Sequence, residues 1–131
     1  MNARRCLVAA ATALAAAVAL GAFGAHALRA RLAPEALAVY QTAVQYHFWH
    51  ALGMFGVGVL MLHWPTSGRL GWVAGLLIAG LLLFCGSLYV LALTGASWVG
   101  LLTPIGGGAL IAAWLVLAWV AWHHHDKRPP M

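Results

Sequence analysis

The chain has 131 residues, of which 64% are hydrophobic and only 7% charged, and its formal net charge is +5. This composition excludes an ordinary soluble domain, in which about a quarter of the residues are charged. The basic residues form no stripe, which excludes a nucleic-acid-binding surface. All charged residues lie between or outside the apolar stretches: Arg4, Arg5, Arg29, Arg31, Glu35, Arg69, Asp126, Lys127 and Arg128.

Four apolar stretches occupy most of the chain, and each is long enough to cross a hydrocarbon core, which takes about 20 helical residues. Backbone groups in that core must hydrogen-bond within the protein, which favours α-helices. The sequence therefore predicts an all-α fold: a four-transmembrane-helix bundle forming one domain over residues 1–122, followed by a polar tail, 123–131. The predicted spans are approximately 6–27, 44–62, 70–93 and 98–122.

The first stretch also resembles a secretory signal, because Arg4 and Arg5 precede an Ala/Leu/Val run that ends in Ala25-His26-Ala27, an A-x-A pattern. Its apolar run is longer than a signal needs, and it carries Gly21 and Gly24, small residues that suit contact between helices. We expect this stretch to remain in the protein as a span.

Basic residues indicate the orientation, because they are enriched on the cytoplasmic side of membrane proteins. With a cytoplasmic N-terminus and four spans, five basic residues lie inside, whereas Arg29 and Arg31 lie outside, partly offset by Glu35. The sequence therefore predicts a multi-pass protein of the bacterial inner membrane with both termini in the cytoplasm. The five inside residues are Arg4, Arg5, Arg69, Lys127 and Arg128.

A more polar segment joins the first two spans. Pro34 suits the first turn of a helix, and Glu35 would lie at the positive end of the helix dipole. Apolar residues then recur at helical spacing, interspersed with glutamines and a threonine. We expect residues 34–45 to form a short amphipathic helix at the membrane interface that runs into the second span.

Small residues recur at four-residue spacing along the third and fourth spans, a pattern that lets helix backbones approach closely in a bilayer. We expect these faces to pack against each other within one chain or against a second copy or another protein. The residues expected in helix packing are Gly21, Gly24, Gly71, Gly75, Ala79, Gly108 and Ala112.

The fourth span contains the strongest local disturbance, since a proline removes a backbone donor and three glycines loosen the turn that follows. The α-helix is expected to begin near Pro104, after an unwound or re-entrant segment. Two interpretations remain open: a kink that relieves packing, or a break that lines a cavity. The residues concerned are Pro104, Gly106, Gly107 and Gly108.

Polar side chains near the ends of the spans form a candidate site. An imidazole close to the membrane is unfavourable unless it is hydrogen-bonded or ligated. We expect these residues to converge on the outer side of the bundle, for interfacial hydrogen bonding, a proton or quinone role, or haem ligation. They are His26, Tyr46, His50, Ser87, Tyr89, Thr94 and Thr103. We expect no metal, no cofactor and no catalytic residue.

Five short motifs occur in order along nearly the whole chain. They are Gly21-Ala22-Phe23-Gly24-Ala25-His26, Tyr46-x3-His50-Ala51, Phe84-x-Gly86-Ser87-Leu88-Tyr89, Leu93-Thr94-Gly95 and Thr103-Pro104-x-Gly106-Gly107. These motifs resemble those of the small membrane proteins of domain-of-unknown-function family 423, which are related to eukaryotic transmembrane protein 256. The resemblance implies four helices and an uncleaved first span, but it brings no reaction, substrate or cofactor.

Three functions remain in competition. The first is a non-enzymatic accessory, assembly or scaffold subunit of a membrane complex, favoured by the small-residue faces and the lack of a catalytic constellation. The second is a small dimeric transporter or channel, although Glu35 is interfacial and the predicted spans contain no carboxylate for proton coupling. The third is a quinone- or haem-binding redox subunit that uses the histidines and tyrosines.

Overall fold

The computed structural model describes residues 1–64 and 68–125, and this part of the chain is almost entirely helical. Two helices carry π-helical turns, and a 3-10 turn leads into the last helix. The elements are α1 (Ala3–Phe23) with a π turn (Gly24–Leu28), α2 (Pro34–His63), α3 (Arg69–Gly80), a second π turn (Leu81–Cys85), α4 (Gly86–Thr94), a 3-10 turn (Ser97–Leu101) and α5 (Leu102–His125). The prediction of an all-α fold is confirmed.

Within the described residues, three helices are long and apolar enough to cross a membrane: Ala3–Leu28, Arg69–Thr94 and Ser97–His124. The second helix, α2, is 30 residues long, about 45 Å at about 1.5 Å per residue. It is less apolar than the others because two glutamines, a threonine and His47 lie in its first half, and His50 and His63 lie in its second half.

The expected interfacial helix is not a separate element. Residues 34–45 are the first half of α2, which begins at Pro34 with Glu35 in its first turn, as predicted. Tyr40 and Ala43 in this half are buried, because it packs along the end of α1 instead of lying apart from the bundle. The polar residues on its other side had suggested an interfacial helix.

Helices α1 and α2 run antiparallel and pack along their whole length. At one end, a Cβ added at Gly24 would lie 2.6 Å from Cε1 of Tyr40. At the other end, a Cβ at Gly58 would lie 2.8 Å from Cδ2 of Leu7. These two close approaches fix the axial register of α2 against α1. They therefore determine the position of every α2 residue along the axis of the bundle.

The α3–α4 unit packs against α5 through two glycines. A Cβ at Gly80 would overlap the side chain of Leu110, and a Cβ at Gly106 would overlap the backbone of Phe84. Packing of the two small-residue ridges against each other within one chain was one of the expected alternatives, and Gly75 and Gly108 do not make that contact here. A Cβ placed at Gly75 or Gly108 would have no described atom within 4 Å, apart from the neighbouring backbone of its own helix.

The other predicted packing positions also differ in how closely they contact the rest of the chain. A Cβ at Gly21 would lie 3.3 Å from Cγ1 of Val44, so Gly21 joins Gly24 in the contact between α1 and α2. Gly71 lies beside the backbone of Met1, and Ala79 and Ala112 are half-buried.

The start of α5 is ordered. Gly95 ends α4 in the left-handed region, with φ of 72°, and the 3-10 turn leads into α5 at Leu102. The α-helix thus begins near Pro104, as expected, but the segment before it is a 3-10 turn and not an unwound or re-entrant one. Pro104 is exposed in the first turn, and Gly107 lies beside the Phe84 ring.

Three chain segments meet at one end of the bundle. Met1 lies beside Gly71 at the start of α3, and the guanidinium of Arg69 lies 4.5 Å from the ring centroid of Trp119 near the end of α5. The rings of Trp64 and His124 stack with centroids 4.1 Å apart. Residues 126–131 of the predicted tail, with Lys127 and Arg128, lie outside the described residues.

Candidate functional site

Two histidines of α2 lie level with the middle of the bundle. The backbone of Ala13, near the middle of the 26-residue helix Ala3–Leu28, lies beside the His47 ring. His50 follows one turn later, and its ring lies 6.1 Å from that of Trp114, near the middle of α5. The sequence had placed His50 near the outer interface, which is wrong: α2 begins at Pro34, so His50 lies about 24 Å along it.

His47 joins three helices. Its Nδ1 lies 3.1 Å from the hydroxyl of Tyr89 in α4, and the backbone of Ala13 in α1 borders the same ring. Tyr89 packs edge-on against Tyr40, with ring centroids 5.2 Å apart. The Tyr40 hydroxyl donates to the Leu20 carbonyl at 2.7 Å, which ties α2 back to α1.

His50 is held in a single tautomer by its own helix. Its Nδ1 lies 2.7 Å from the Tyr46 carbonyl, so the proton of the neutral ring is on Nδ1 and Nε2 carries a lone pair. The Tyr46 ring stacks on the imidazole with centroids 5.6 Å apart and planes 16° apart. The described residues provide no hydrogen bond to Nε2. Every fully buried side-chain nitrogen or oxygen of the described residues has a hydrogen-bond partner. Nε2 has none among these residues, so it is not fully buried and reaches the molecular surface.

A second polar contact joins the α3–α4 unit to α5. The hydroxyls of Ser87 and Thr103 lie 2.7 Å apart, and Ser87 also donates to the Phe84 carbonyl at 2.9 Å. Phe84 belongs to the second π turn, in which the regular helical bonding pattern is interrupted. Its ring packs against Tyr46 at 4.7 Å between centroids, so this contact borders the histidines of α2.

Five of the seven predicted polar residues therefore take part in one cluster of contacts, which extends from His50 at the middle of the bundle towards the first turn of α5 and comprises Tyr46, His50, Ser87, Tyr89 and Thr103. The other two do not. His26 is exposed in the first π turn, level with the start of α2, and its expected convergence with His50 is wrong. Thr94 is exposed at the end of α4, where its hydroxyl donates to the Val90 carbonyl and accepts from the Ala96 N–H.

Sequence reasoning missed His47, Tyr40 and Trp114. The predicted site did not include His47, although its three-residue spacing from His50 was the available signal, because residues three apart lie on neighbouring helix positions. Tyr40 had been assigned to the interface, and no sequence signal distinguished Trp114 from the other tryptophans of α5.

This cluster combines hydrogen-bond donors, acceptors and aromatic faces between long apolar helices. Neutral imidazole can accept a proton or a hydrogen bond at Nε2 or serve as a metal ligand. Among the described residues, no three His, Cys, Asp or Glu side chains lie close enough together to hold a metal ion.

Long apolar helices packed side by side around this cluster define a small helical membrane protein. The sequence model of DUF423, a protein family of unknown function, matches residues 20–107. The chain belongs to this family, as the motifs indicated.

Curated relatives agree with this assignment. The UPF0382 membrane protein YwdK of Bacillus subtilis (strain 168) is 44% identical over 105 residues, which make up 80% of this chain and 85% of YwdK. A UPF0382 membrane protein of Staphylococcus saprophyticus is 44% identical over 101 residues, 77% of this chain and 82% of the relative. No solved structure matches the chain.

Proposed function

We propose that this protein is a non-enzymatic accessory, assembly or scaffold subunit that packs against a larger complex in the bacterial inner membrane. In this proposal α2 is the fourth span. It is longer than a bilayer core, and it pairs along its whole length with α1, an apolar helix long enough to cross the membrane.

The observation that carries the proposal is the pair of outward-facing glycines, Gly75 on α3 and Gly108 on α5. Each leaves open space where a Cβ would be, although glycine is unfavourable inside a helix by about 0.5–1 kcal/mol relative to alanine. In a bilayer, glycine on a helix face allows another helix to approach closely. The glycines that pack within this chain lie elsewhere, so these two are free to contact another protein.

The distribution of charge supports cytoplasmic termini. Arg4 and Arg5 lie at the same end of the bundle as Arg69, beside the N-terminus and the end of α5. At the opposite end the two arginines after α1 are followed by Glu35. Basic residues concentrate on the cytoplasmic side, so the end that holds both termini is assigned to the cytoplasm.

Native purification tests the proposal. The full chain is extracted in mild detergent, and all retained proteins are identified by mass spectrometry while the absorption spectrum of the same sample is recorded. A stoichiometric larger complex, weakened when Gly75→Leu and Gly108→Leu are introduced together, supports the subunit role. A chain recovered free of other proteins in detergents of decreasing harshness contradicts it.

A second candidate function, binding of a lipophilic hydrogen-bond donor such as a quinol, is favoured by one observation at His50. Its Nε2 carries a lone pair and receives no hydrogen bond from the described residues, and its ring lies beside Trp114 near the middle of α5. Tryptophan fluorescence tests it, since Trp114 lies beside the ring. Saturable quenching by a short-chain hydroquinone, lost in His50→Leu and kept in His47→Leu, supports binding. Equal quenching by the dimethyl ether, which has no donor, contradicts it.

A further inference from the structure

A groove of about 560 Å³ runs along the surface between α1 and the first half of α2. Small residues form its α1 wall, and amide side chains stand on its α2 wall. Gln41 and Gln45 lie four residues apart on α2, so they share a face, and both are exposed. The lining includes Gly21, Gly24, Ala25, Ala38, Gln41 and Gln45.

Gln45 lies at hydrocarbon depth. Its neighbour Val44 packs against Gly21, which is about two turns before Leu28, the end of the first helix. That helix is about 39 Å long at about 1.5 Å per residue, so it exceeds a core of about 30 Å by about 4–5 Å at each end. Gly21 lies about 10 Å from the helix end, and Gln45 at its level is therefore within the hydrocarbon layer.

An exposed amide at that depth needs a partner. Its N–H and C=O groups would otherwise face lipid tails, which offer no hydrogen bonds. No described residue hydrogen-bonds to the side chain of Gln41 or Gln45, whereas the nearby Thr42 hydroxyl donates to the Ala38 carbonyl of its own helix at 3.0 Å. The partner of the Gln45 amide must therefore come from outside the described chain.

We propose that this groove is the interface of a symmetric homodimer, in which the Gln45 amides of two copies hydrogen-bond to each other in the membrane. An amide carries both donors and an acceptor, so two related by a two-fold axis along the membrane normal satisfy each other. The exposed small residues Ala25 and Ala38 of the groove allow the helices to approach closely enough for this contact.

Charge at the rim of the groove fits the same partner. Glu35 precedes Ala38 by three residues, so it lies on the same face of α2 at the membrane surface. Both it and the exposed Arg31 lie at the outer end of the bundle. A two-fold axis along the membrane normal places equivalent residues of the two copies at the same depth. Each copy therefore brings its Arg31 to the depth of the other copy's Glu35. This inference does not rest on the proposed subunit role.

Disulfide cross-linking in native membranes tests the interface with the full chain. Ala38→Cys lies in the groove, and Leu115→Cys, exposed on α5, is the matched control. The wild-type chain is the background, because Cys6 and Cys85 are both buried. We expect copper-phenanthroline to convert Ala38→Cys, but neither Leu115→Cys nor the wild type, into a covalent dimer.

A second measurement addresses the amide directly. Photobleaching steps of fluorescently tagged chains in bilayers give the dimer fraction, and Gln45→Leu is expected to lower it at least fivefold at equal density, with Leu115→Ala unchanged. A monomeric wild type, cross-links at position 115 in place of 38, or an unchanged Gln45→Leu dimer would overturn the inference. If position 38 cross-linked only to another protein, the homodimer would be contradicted and the subunit role would stand. If the chain purified as a homodimer without other proteins, the homodimer would be supported and the subunit role contradicted.

Discussion

The Tyr89 hydroxyl lies 3.1 Å from Nδ1 of His47, and this contact joins α2 to α4 near the middle of the bundle. The backbone of Ala13 borders the same imidazole, so one side chain holds three helices together. Helices in a bilayer have no hydrophobic drive to associate, and polar contacts of this kind supplement van der Waals packing. The pair therefore fixes the position of α2 relative to its neighbours.

Replacing Tyr89 with Phe should destabilise the protein by about 0.6 kcal/mol, and at most about 1.7 kcal/mol, the range measured for hydrogen bonds between membrane helices. The ring and its packing against Tyr40 are retained, so the loss reports the hydroxyl alone. The measurement is reversible unfolding in mixed micelles of increasing SDS fraction. Thr42→Val is the control, since its hydroxyl bonds only to its own helix. Equal losses in both variants would refute a special role for the contact.

Gly106→Ala should destabilise the bundle by about 1–3 kcal/mol, the usual effect of overpacking. Its new Cβ would overlap the backbone of Phe84, which cannot rotate away as a flexible side chain can. Gly108→Ala is the matched control two residues later. It meets open space and should gain up to about 1 kcal/mol from helix propensity. Thermal melting in one detergent compares the two, and a stable Gly106→Ala variant would contradict the close approach.

Hydropathy and helix signals were sufficient to predict the all-α class, the start of a helix at Pro34 and the α-helix that begins near Pro104. They did not predict the depth of His50. That depth depends on the axial register of α2 against α1. Two contacts fix the register, that of Gly24 with Tyr40 and that of Gly58 with Leu7. These are tertiary contacts, and the polar residues in the first half of α2 suggested that it lay at the membrane interface.

The small residues show a similar limit. Four-residue spacing identifies a face that permits close approach, but it does not identify the partner of that face. Gly80 and Gly106 make the contact within the chain, Gly106 against the backbone of Phe84 in the second π turn, and no sequence pattern signalled that turn. Ser87 and Thr103 were both expected in the polar site, and their pairing depends on this same helix contact.

A double-mutant cycle on Ser87 and Thr103 should give a coupling energy of about 0.6 kcal/mol, and at most about 1.7 kcal/mol. Their hydroxyls lie 2.7 Å apart, but each single alanine variant leaves the other hydroxyl able to bond to nearby backbone, as Ser87 already does to Phe84. Unfolding in SDS mixed micelles gives the four stabilities. Strict additivity would mean that the hydroxyls do not interact in the membrane.

Thiol labelling in intact cells tests the arrangement of the two ends. The wild type provides a silent background, since Cys6 and Cys85 are buried. Ala30→Cys lies at the end that holds the turn after α1, and Gly68→Cys and His123→Cys lie at the end where Met1, the start of α3 and the end of α5 meet; all three positions are exposed. An impermeant maleimide should label position 30 from outside, and positions 68 and 123 only after permeabilisation.

Two kinds of result would contradict different parts of this arrangement. Labelling of positions 68 and 123 from outside, with position 30 protected, would reverse the orientation and leave the fold intact. Labelling of positions 68 and 123 from opposite sides would conflict with the stacking of Trp64 on His124 and with Arg69 over Trp119, which bring these segments to one end. Labelling of positions 68 and 123 from one side means an even number of crossings between them, which is two if α3–α4 and α5, both long and apolar enough, span the bilayer. Labelling of position 30 from the opposite side to position 68 means that α2 crosses as well.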